Sequence, residues 1–273
     1  MYNPLVVTVE IVIVGNEVLL GQVQDTNSSY LCRVVRGRGG LVRHIAVVRD
    51  EIDLIAEEMK ASLSRRADVV FTCGGLGPTD DDLTLAGVGA ATGRNLELNG
   101  SARDFVERRY GELAREGFVA SSEMNEARLK MARLPAGALA VENPVGAAPA
   151  VILEAGATFI VSLPGVPAEL KAIVEGPLQE LLDRVFGHGG YSEREIIVDC
   201  GDESQLGPLL RDVAAAHPEV YIKSRASHFG RDVMFRVVIS ASAASAEEAG
   251  RLIESGATDL TRALQDAGIQ EQR

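Results

Sequence analysis

The chain has 273 residues, 46% of them hydrophobic and 24% charged, with a formal net charge of -12 at pH 7. That length can bury one large core, or a medium and a small one, and two domains are expected. The acidic excess argues against nucleic acid as a partner, because binding a phosphate backbone rests on clustered Lys and Arg, and the three separated cysteines, Cys32, Cys73 and Cys200, read as reduced thiols of a cytoplasmic protein.

The apolar run Leu5 to Val14 is broken by Thr8 and Glu10 and has no basic region before it, so it predicts a buried first strand and neither a signal peptide nor a membrane span. A long polar loop follows, through Gly15, Asn16, Glu17 and Gly21 to Asp25, Thr26 and Asn27. Leu31, Val34 and Val35 then mark a helix stopped by Gly37, Gly39 and Gly40, and Leu41 to Val48 reads as a second strand. Asp50 and Asp53 stand where a second helix should begin, and Ile52, Ile55, Ala56 and Met59 give it helical spacing. Ala67 to Cys73 is a strand ending in Gly74-Gly75-Leu76-Gly77-Pro78-Thr79-Asp80-Asp81-Asp82, and Leu83 to Thr92 is a helix.

Strands alternating with amphipathic helices imply a three-layer α/β fold, a mostly parallel sheet with helices on both faces. Ligands of such sheets bind beyond the strand C-terminal ends, which places the loops after Val14 and Cys73 on one edge. Ser101 to Gly117 and Ser121 to Met131 extend this domain as helices, and Val151 to Leu153 with Phe159 to Leu163 form a hairpin. Pro167 suits the first turn of a helix carrying Leu170, Ile173 and Val174, which Pro177 breaks before Leu178, Leu181 and Leu182. The glycine-dense stretch Gly187-His188-Gly189-Gly190 divides residues 1-187 from a small α+β domain, residues 188-273, with the order β-α-β-β-α. Its strands are expected near Arg194 to Cys200, Val220 to Ser224 and Val233 to Ser240.

Glycines 74, 75 and 77 let the backbone turn sharply and approach a ligand, and the following helix offers amide N-H groups to an anion, so phosphate is the natural guest. Asp80, Asp81 and Asp82 would repel phosphate, and therefore either cap that helix or hold a divalent cation that binds it. Asp50 has the same two readings, helix cap or ligand-edge residue, and Asn16, Glu17, Asp25 and Asn27 are turn or cap residues unless the shared edge recruits them. There is no complete dinucleotide fingerprint, P-loop or nucleophile elbow. The histidines 44, 188, 217 and 228 lack the spacing of a zinc site, and Cys73 reads as a small buried hydrophobe.

The Gly15-Asn16-Glu17 and Asp25-Thr26-Asn27 segments, the glycine and aspartate loop through Thr84, Leu134-Pro135-Ala136-Gly137, Asn143-Pro144-Val145-Gly146 and Pro164-Gly165-Val166-Pro167-Ala168-Glu169-Leu170-Lys171 together resemble the N-terminal region of the CinA family. The likeness covers about residues 5 to 175, while the second domain resembles that family's KH-like module by layout alone. The resemblance implies the molybdopterin-binding fold. It implies ligand-binding positions at Gly15, Asn16, Glu17, Gly21, Asp25 and Asn27, at Gly74, Gly75, Leu76, Gly77, Pro78, Thr79 and Thr84, and at Asn143, Gly146, Pro164 and Gly165. It makes Asp50 and Asp82 the candidate catalytic residues, beside Asp80, Asp81 and Asp82 as candidate metal ligands.

Members of that group hydrolyse nucleotide diphosphates such as ADP-ribose or FAD with a divalent cation, magnesium or cobalt, and potassium. The resemblance thus implies a metal-dependent pyrophosphatase, with a non-catalytic molybdopterin- or nucleotide-binding module as the alternative and a homodimer as the assembly. The chain ends at Arg273 without room for the nicotinamide-mononucleotide deamidase domain of longer members, so deamidation is not expected. Cys73, Asn16, Ala147 and Ala150 depart from the residues usual in the family and bear on ligand choice.

Overall fold

A computed structural model describes residues 6-187, 189-200, 202-226 and 234-272. Leu5, His188, His228 and Val233 lie outside these residues. Contacts divide the chain into two compact units, one built from Val7–Arg33 with Leu41–Val185, the other from residues 34-40 with residues 186 onward.

The larger unit opens with β1 (Thr8–Val14), α1 (Asn16–Leu19), α2 (Asn27–Gly37), β2 (Leu41–Val48), α3 (Ile52–Ser64), β3 (Val69–Cys73) and α4 (Thr84–Thr92). It continues with β4 (Leu96–Leu98), α5 (Gly100–Arg115), α6 (Glu126–Lys130), β5 (Arg133–Pro135), β6 (Leu139–Val141), β7 (Ala150–Ala155), β8 (Thr158–Leu163), α7 (Pro167–Glu175) and α8 (Gln179–Phe186). The unit boundary falls inside α2. Two expectations are corrected here. The polar loop after β1 starts with a helical turn, α1, and of Ser121 to Met131 only Glu126–Lys130 is helical, begun by the Asn125 side chain, which accepts from the Arg128 N-H. The short pair β4 and β5 has too few residues to show strand periodicity.

Six strands form one mixed sheet in the order β2-β1-β3-β8-β7-β6. The body β2, β1, β3, β8 is parallel, and β7 and β6 add antiparallel pairings at one side. Every residue of β1 and β3 is buried, as expected of central strands covered on both faces, whereas the edge strand β2 is largely exposed. Val12, Val14 and Val70 pack with Ile55 and Met59 of α3 and Val88 of α4. The opposite parity, Val9, Ile11 and Ile13, is buried as well, as are Leu31 of α2 and Leu170, Ile173 and Val174 of α7, so both faces are helix-covered. Glu10 sits fully buried within β1, where its carboxylate accepts from Arg65 Nε at 2.9 Å and Nη2 at 2.6 Å.

The parallel registers Val14 with Val48, Ile13 with Cys73, and Cys73 with Leu163 align the C-terminal ends of all four body strands. The segments after β1, β2, β3 and β8 therefore emerge on one edge, as the topology predicts.

The smaller unit comprises β9 (Gly190–Asp199), α9 (Glu203–Ala216), β10 (Val220–Ala226), β11 (Met234–Ala243), α10 (Ala246–Asp266) and β12 (Gln270–Gln272). Its antiparallel sheet has the order β10-β11-β9-β12, and Ile196, Val198, Val237 and Ile239 pack against Leu206 of α9 and Ile253 and Leu260 of α10. The terminal strand β12 extends the expected order.

Candidate ligand cleft

The glycine loop is made of backbone conformations that side chains oppose. Gly74 has φ 103 and Gly75 φ 65, both left-handed, and a Cβ on Gly74 would fall well inside van der Waals contact of the Val14 carbonyl. The Gly74 N-H donates to the Leu163 carbonyl at 3.0 Å, and the buried Thr84 hydroxyl donates to the Gly74 carbonyl at 2.7 Å, so neighbouring strand ends and α4 clamp the turn. No hydrogen bond among the described residues uses the N-H of Gly75, Leu76 or Gly77. Consecutive unclaimed amides in such a turn form a nest with positive potential.

The aspartates do not cap α4. Its N-cap is Leu83, without a side-chain bond, and the carboxylates of Asp81 and Asp82 turn back onto the loop. Asp82 Oδ2 accepts from the Thr79 N-H at 2.8 Å and the Thr79 hydroxyl at 2.6 Å, and it lies where a Cβ on Gly77 would come within 2.6 Å. Asp81 also accepts from the Thr79 hydroxyl, and that bond, with Lys130 nearby, holds its carboxyl below the usual range. Lys130 Nζ donates to the Thr79 carbonyl. Among the described residues no group of three or more His, Cys, Asp or Glu is arranged to hold a metal, and of Asp80, Asp81 and Asp82 the last two line the cleft described below.

Asp50 is not a helix cap either. The N-cap of α3 is Glu51, and Asp50 Oδ2 instead accepts from the Asn16 N-H at 2.7 Å, tying the end of β2 to the start of α1. Burial pushes the Asp50 carboxyl above its usual range despite that bond, and the charges of Glu17 and Asp81 add to the effect.

Loop 143-148 forms a wall. Asn143, 1% exposed, accepts from the N-H groups of Val145 and Gly146 at 3.0 and 2.8 Å and donates to the Ala148 carbonyl and to Glu169 Oε2, at 2.9 and 2.6 Å. A side chain on Gly146 would collide with the Glu169 carboxylate. Arg109 holds the carbonyls of Val145 and Gly146 from outside.

These segments enclose a cleft of about 500 Å³. Of the expected positions, Glu17, Asp50, Gly74, Gly75, Leu76, Gly77, Pro78, Asp81, Asp82, Pro164 and Gly165 line it. Others stand behind the lining and position it. Asp25 accepts from the Ser28 N-H and hydroxyl at the start of α2, Asn27 Nδ2 donates to the Gly165 carbonyl at 2.8 Å, and the Gly15 N-H donates to the Val48 carbonyl at 3.2 Å. Gly21 is a left-handed turn residue. Asn16, Thr79, Thr84, Asn143 and Gly146 belong to the same supporting layer. The lining includes five carboxylates, Glu17, Asp50, Asp81, Asp82 and Glu169, and no Lys, Arg or His.

Residues 10–184 match the family model described as a probable molybdopterin binding domain. The chain belongs to this family. Among relatives, a protein of Aeropyrum pernix is 39% identical over 94% of each chain, and one of Pyrococcus furiosus is 37% identical over 81% of this chain and 86% of its own. Among solved structures, the protein CinA of Thermoplasma acidophilum aligns with a TM-score of 0.58 at 32% identity, covering 64% of this chain and 98% of that one. The molybdopterin-binding domain thus carries the entire cleft, whose lining residues all fall within 10-184. Sequence reasoning missed Tyr110, Met131 and Ala148 as lining residues, and Glu169, which stands in a quoted motif. Tyr110 and Met131 come from α5 and the end of α6, and only the three-dimensional fold brings them to the glycine loop.

No helix among the described residues is long and apolar enough to cross a membrane.

Proposed function

We propose that the cleft binds a small molecule of pterin or nucleotide type, its phosphate received by the N-H groups of Gly75, Leu76 and Gly77. The observation that carries this reading is that set of unclaimed amides at the C-terminal edge of a parallel sheet, in a domain whose family is described by molybdopterin binding. Leu76, Met131, Ala147, Ala148 and the Tyr110 ring supply an apolar wall for a flat heterocycle. Titration calorimetry with a pterin phosphate and with nucleoside diphosphates tests it: the expected result is one-to-one binding, and no heat with either class overturns it.

Five carboxylates and no cationic side chain make the cleft a poor host for a bare phosphate. The residues fit a divalent cation, magnesium or cobalt, shared between one or two carboxylates and the phosphate, and do not fit an all-protein cage. Asp50 and Asp82 are the residues we assign to it. Such a cation, when bound, supplies charge neutralisation on phosphorus. This favours a second reading, a pyrophosphatase acting on ADP-ribose- or FAD-like nucleotide diphosphates, with Asp50 and Asp82 as the carboxylates that would hold the cation. Release of AMP from ADP-ribose with magnesium or cobalt, absent in Asp82→Asn, supports turnover; product equal to that control leaves a binding module. Potassium dependence, a KH-like role for the smaller unit, domain limits at residues 187 and 188, a cytoplasmic site of action and homodimer formation belong to the same proposal.

A further inference from the structure

We propose that a groove at the edge of the sheet opposite the cleft binds a small oxyanion, carboxylate or phosphate, gripped by Arg66. The groove shares no lining residue with the cleft.

It opens where β3 and β8 begin, at the far end of the strands that deliver the glycine loop and Pro164 to the cleft. Its volume is about 710 Å³, and the ends of α3 and α4 and the turn between β7 and β8 surround it. Leu63, Ala91 and Ala157 contribute apolar surface. The charged lining is Arg66, Arg94 and Asp68, two cations against one carboxylate on a chain of net charge -12. The cleft has the opposite character, with carboxylates and no cation.

Arg66 holds a backbone conformation that its side chain opposes. Among the described residues it is the sole non-glycine in the left-handed region, with φ 56. It follows the C-cap Arg65 of α3, and its N-H donates to the Leu63 carbonyl at 3.0 Å while the N-H of Ala67 donates to the Ser62 carbonyl at 3.5 Å. In a helix ending of this kind glycine is favoured at the position of Arg66, because glycine enters the left-handed region without strain. The C-terminal ends of two helices attract positive charge, yet a cation at any nearby position would satisfy them. Strain retained at one position points to a use for the side chain there.

The fold itself makes no use of that guanidinium: its side chain forms no hydrogen bond or ion pair among the described residues. Arg94, by contrast, is fixed in place, with Nη1 donating to the Ala136 carbonyl at 2.8 Å and Nη2 to the Glu154 carbonyl at 2.7 Å. Carbonyls occupy those donors without neutralising the charge, and the Glu154 carboxylate pairs with Arg184 instead. Asp68 turns Oδ2 to the Thr8 N-H and hydroxyl, at 2.7 and 2.8 Å. The groove thus combines a fixed positive charge with a free planar fork of N-H donors, the geometry that grips two oxygens of a carboxylate or phosphate.

The test titrates inorganic phosphate, and separately succinate, into the full isotope-labelled chain followed by NMR, with EDTA present so that no cation can bring an anion into the cleft. Saturable amide shifts are expected at residues 63-68, 91-94 and 155-158 and not in loop 74-84, and the anion that saturates at lower concentration identifies the source. Arg66→Gly should bind at least about tenfold more weakly. Without anion it should melt above the wild type, since the strain is gone. Arg66→Asn, which tolerates the left-handed backbone, should lose binding equally. No saturable shift with either anion, shifts confined to loop 74-84, or wild-type affinity in either variant overturns the proposal. So does Arg66→Gly melting below the wild type, because the side chain would then serve the fold.

Discussion

Asp50 works against the stability of its own fold. Burial favours its neutral form, so its folded pKa lies above the unfolded one, and the native state binds the extra proton between the two. Stability associated with this group is present below the unfolded value of about 3.9 and is lost as pH rises through the folded value. Asparagine keeps an oxygen for the Asn16 N-H without the charge. Asp50→Asn should therefore melt near the wild type at pH about 4 and above it at pH 7, while ligand binding with magnesium falls. A melting temperature below the wild type at pH 7 would show that the carboxylate holds the loop together. Cys73 gives the complementary case. Burial pushes its thiol far above the usual range, so it should resist iodoacetamide at pH 8 in the native protein and react once denatured.

At the scale of elements, β1 carries a charge where a strand buried on both faces has no place for one, and α3 answers it from the next layer. Arg65, just past the C-terminal end of α3, binds Glu10 and also Glu58 at 2.7 Å. Burial alone would raise the Glu10 pKa, but the hydrogen bonds and charge of Arg65 prevail and hold it below the usual range. Arg65→Ala leaves the carboxylate buried and unpaired; because Arg65 is 39% exposed, the loss is discounted to about 2 kcal/mol at pH 7. The advantage of the wild type is present above the unfolded pKa of about 4.3 and is lost as pH falls through the lowered folded value, so urea midpoints of the two proteins should converge in acid. Helices α3 and α4 meet at Gly87, where a Cβ would come within 2.6 Å of Ile55 Cβ, and Gly87→Ala should destabilise by about 1–3 kcal/mol, read from the same urea titration.

Much of this was legible in the chain. The alternation of β-branched runs with 3.6-residue periodicity predicts the elements from β1 to α4 other than the short α1, and three glycines followed by aspartates mark the loop that lines the cleft. What stayed hidden depends on long-range contact. Asp50 reads as a cap because it stands next to a helix start, yet its partner, Asn16, is 34 residues away. Asn27 looks like a turn residue until it meets Gly165, 138 residues on. Asp80, Asp81 and Asp82 carry the same side chain in a row, and no local rule tells that two of them fold back to Thr79.

For the whole molecule, the charge of -12 and the carboxylate-lined cleft point the same way. Magnesium should raise the affinity for a nucleoside diphosphate at least about tenfold over EDTA, since only a cation removes the repulsion. By the same balance, gel shifts with single- or double-stranded nucleic acid at physiological salt should show no complex at micromolar protein. A shift would direct attention to the smaller unit, where Lys223 and Arg225 stand on β10.

The loop that lets Gly75, Leu76 and Gly77 present bare N-H groups carries its chemistry in atoms common to every residue. Substituting side chains there perturbs conformation and, proline apart, leaves the donors in place, so most of a mutational scan across the loop measures folding. Replacing single peptide bonds by esters, through semisynthesis, removes one donor at a time and leaves the turn in place. The proposed anion site therefore depends on Gly74 and Gly75 keeping their left-handed backbone.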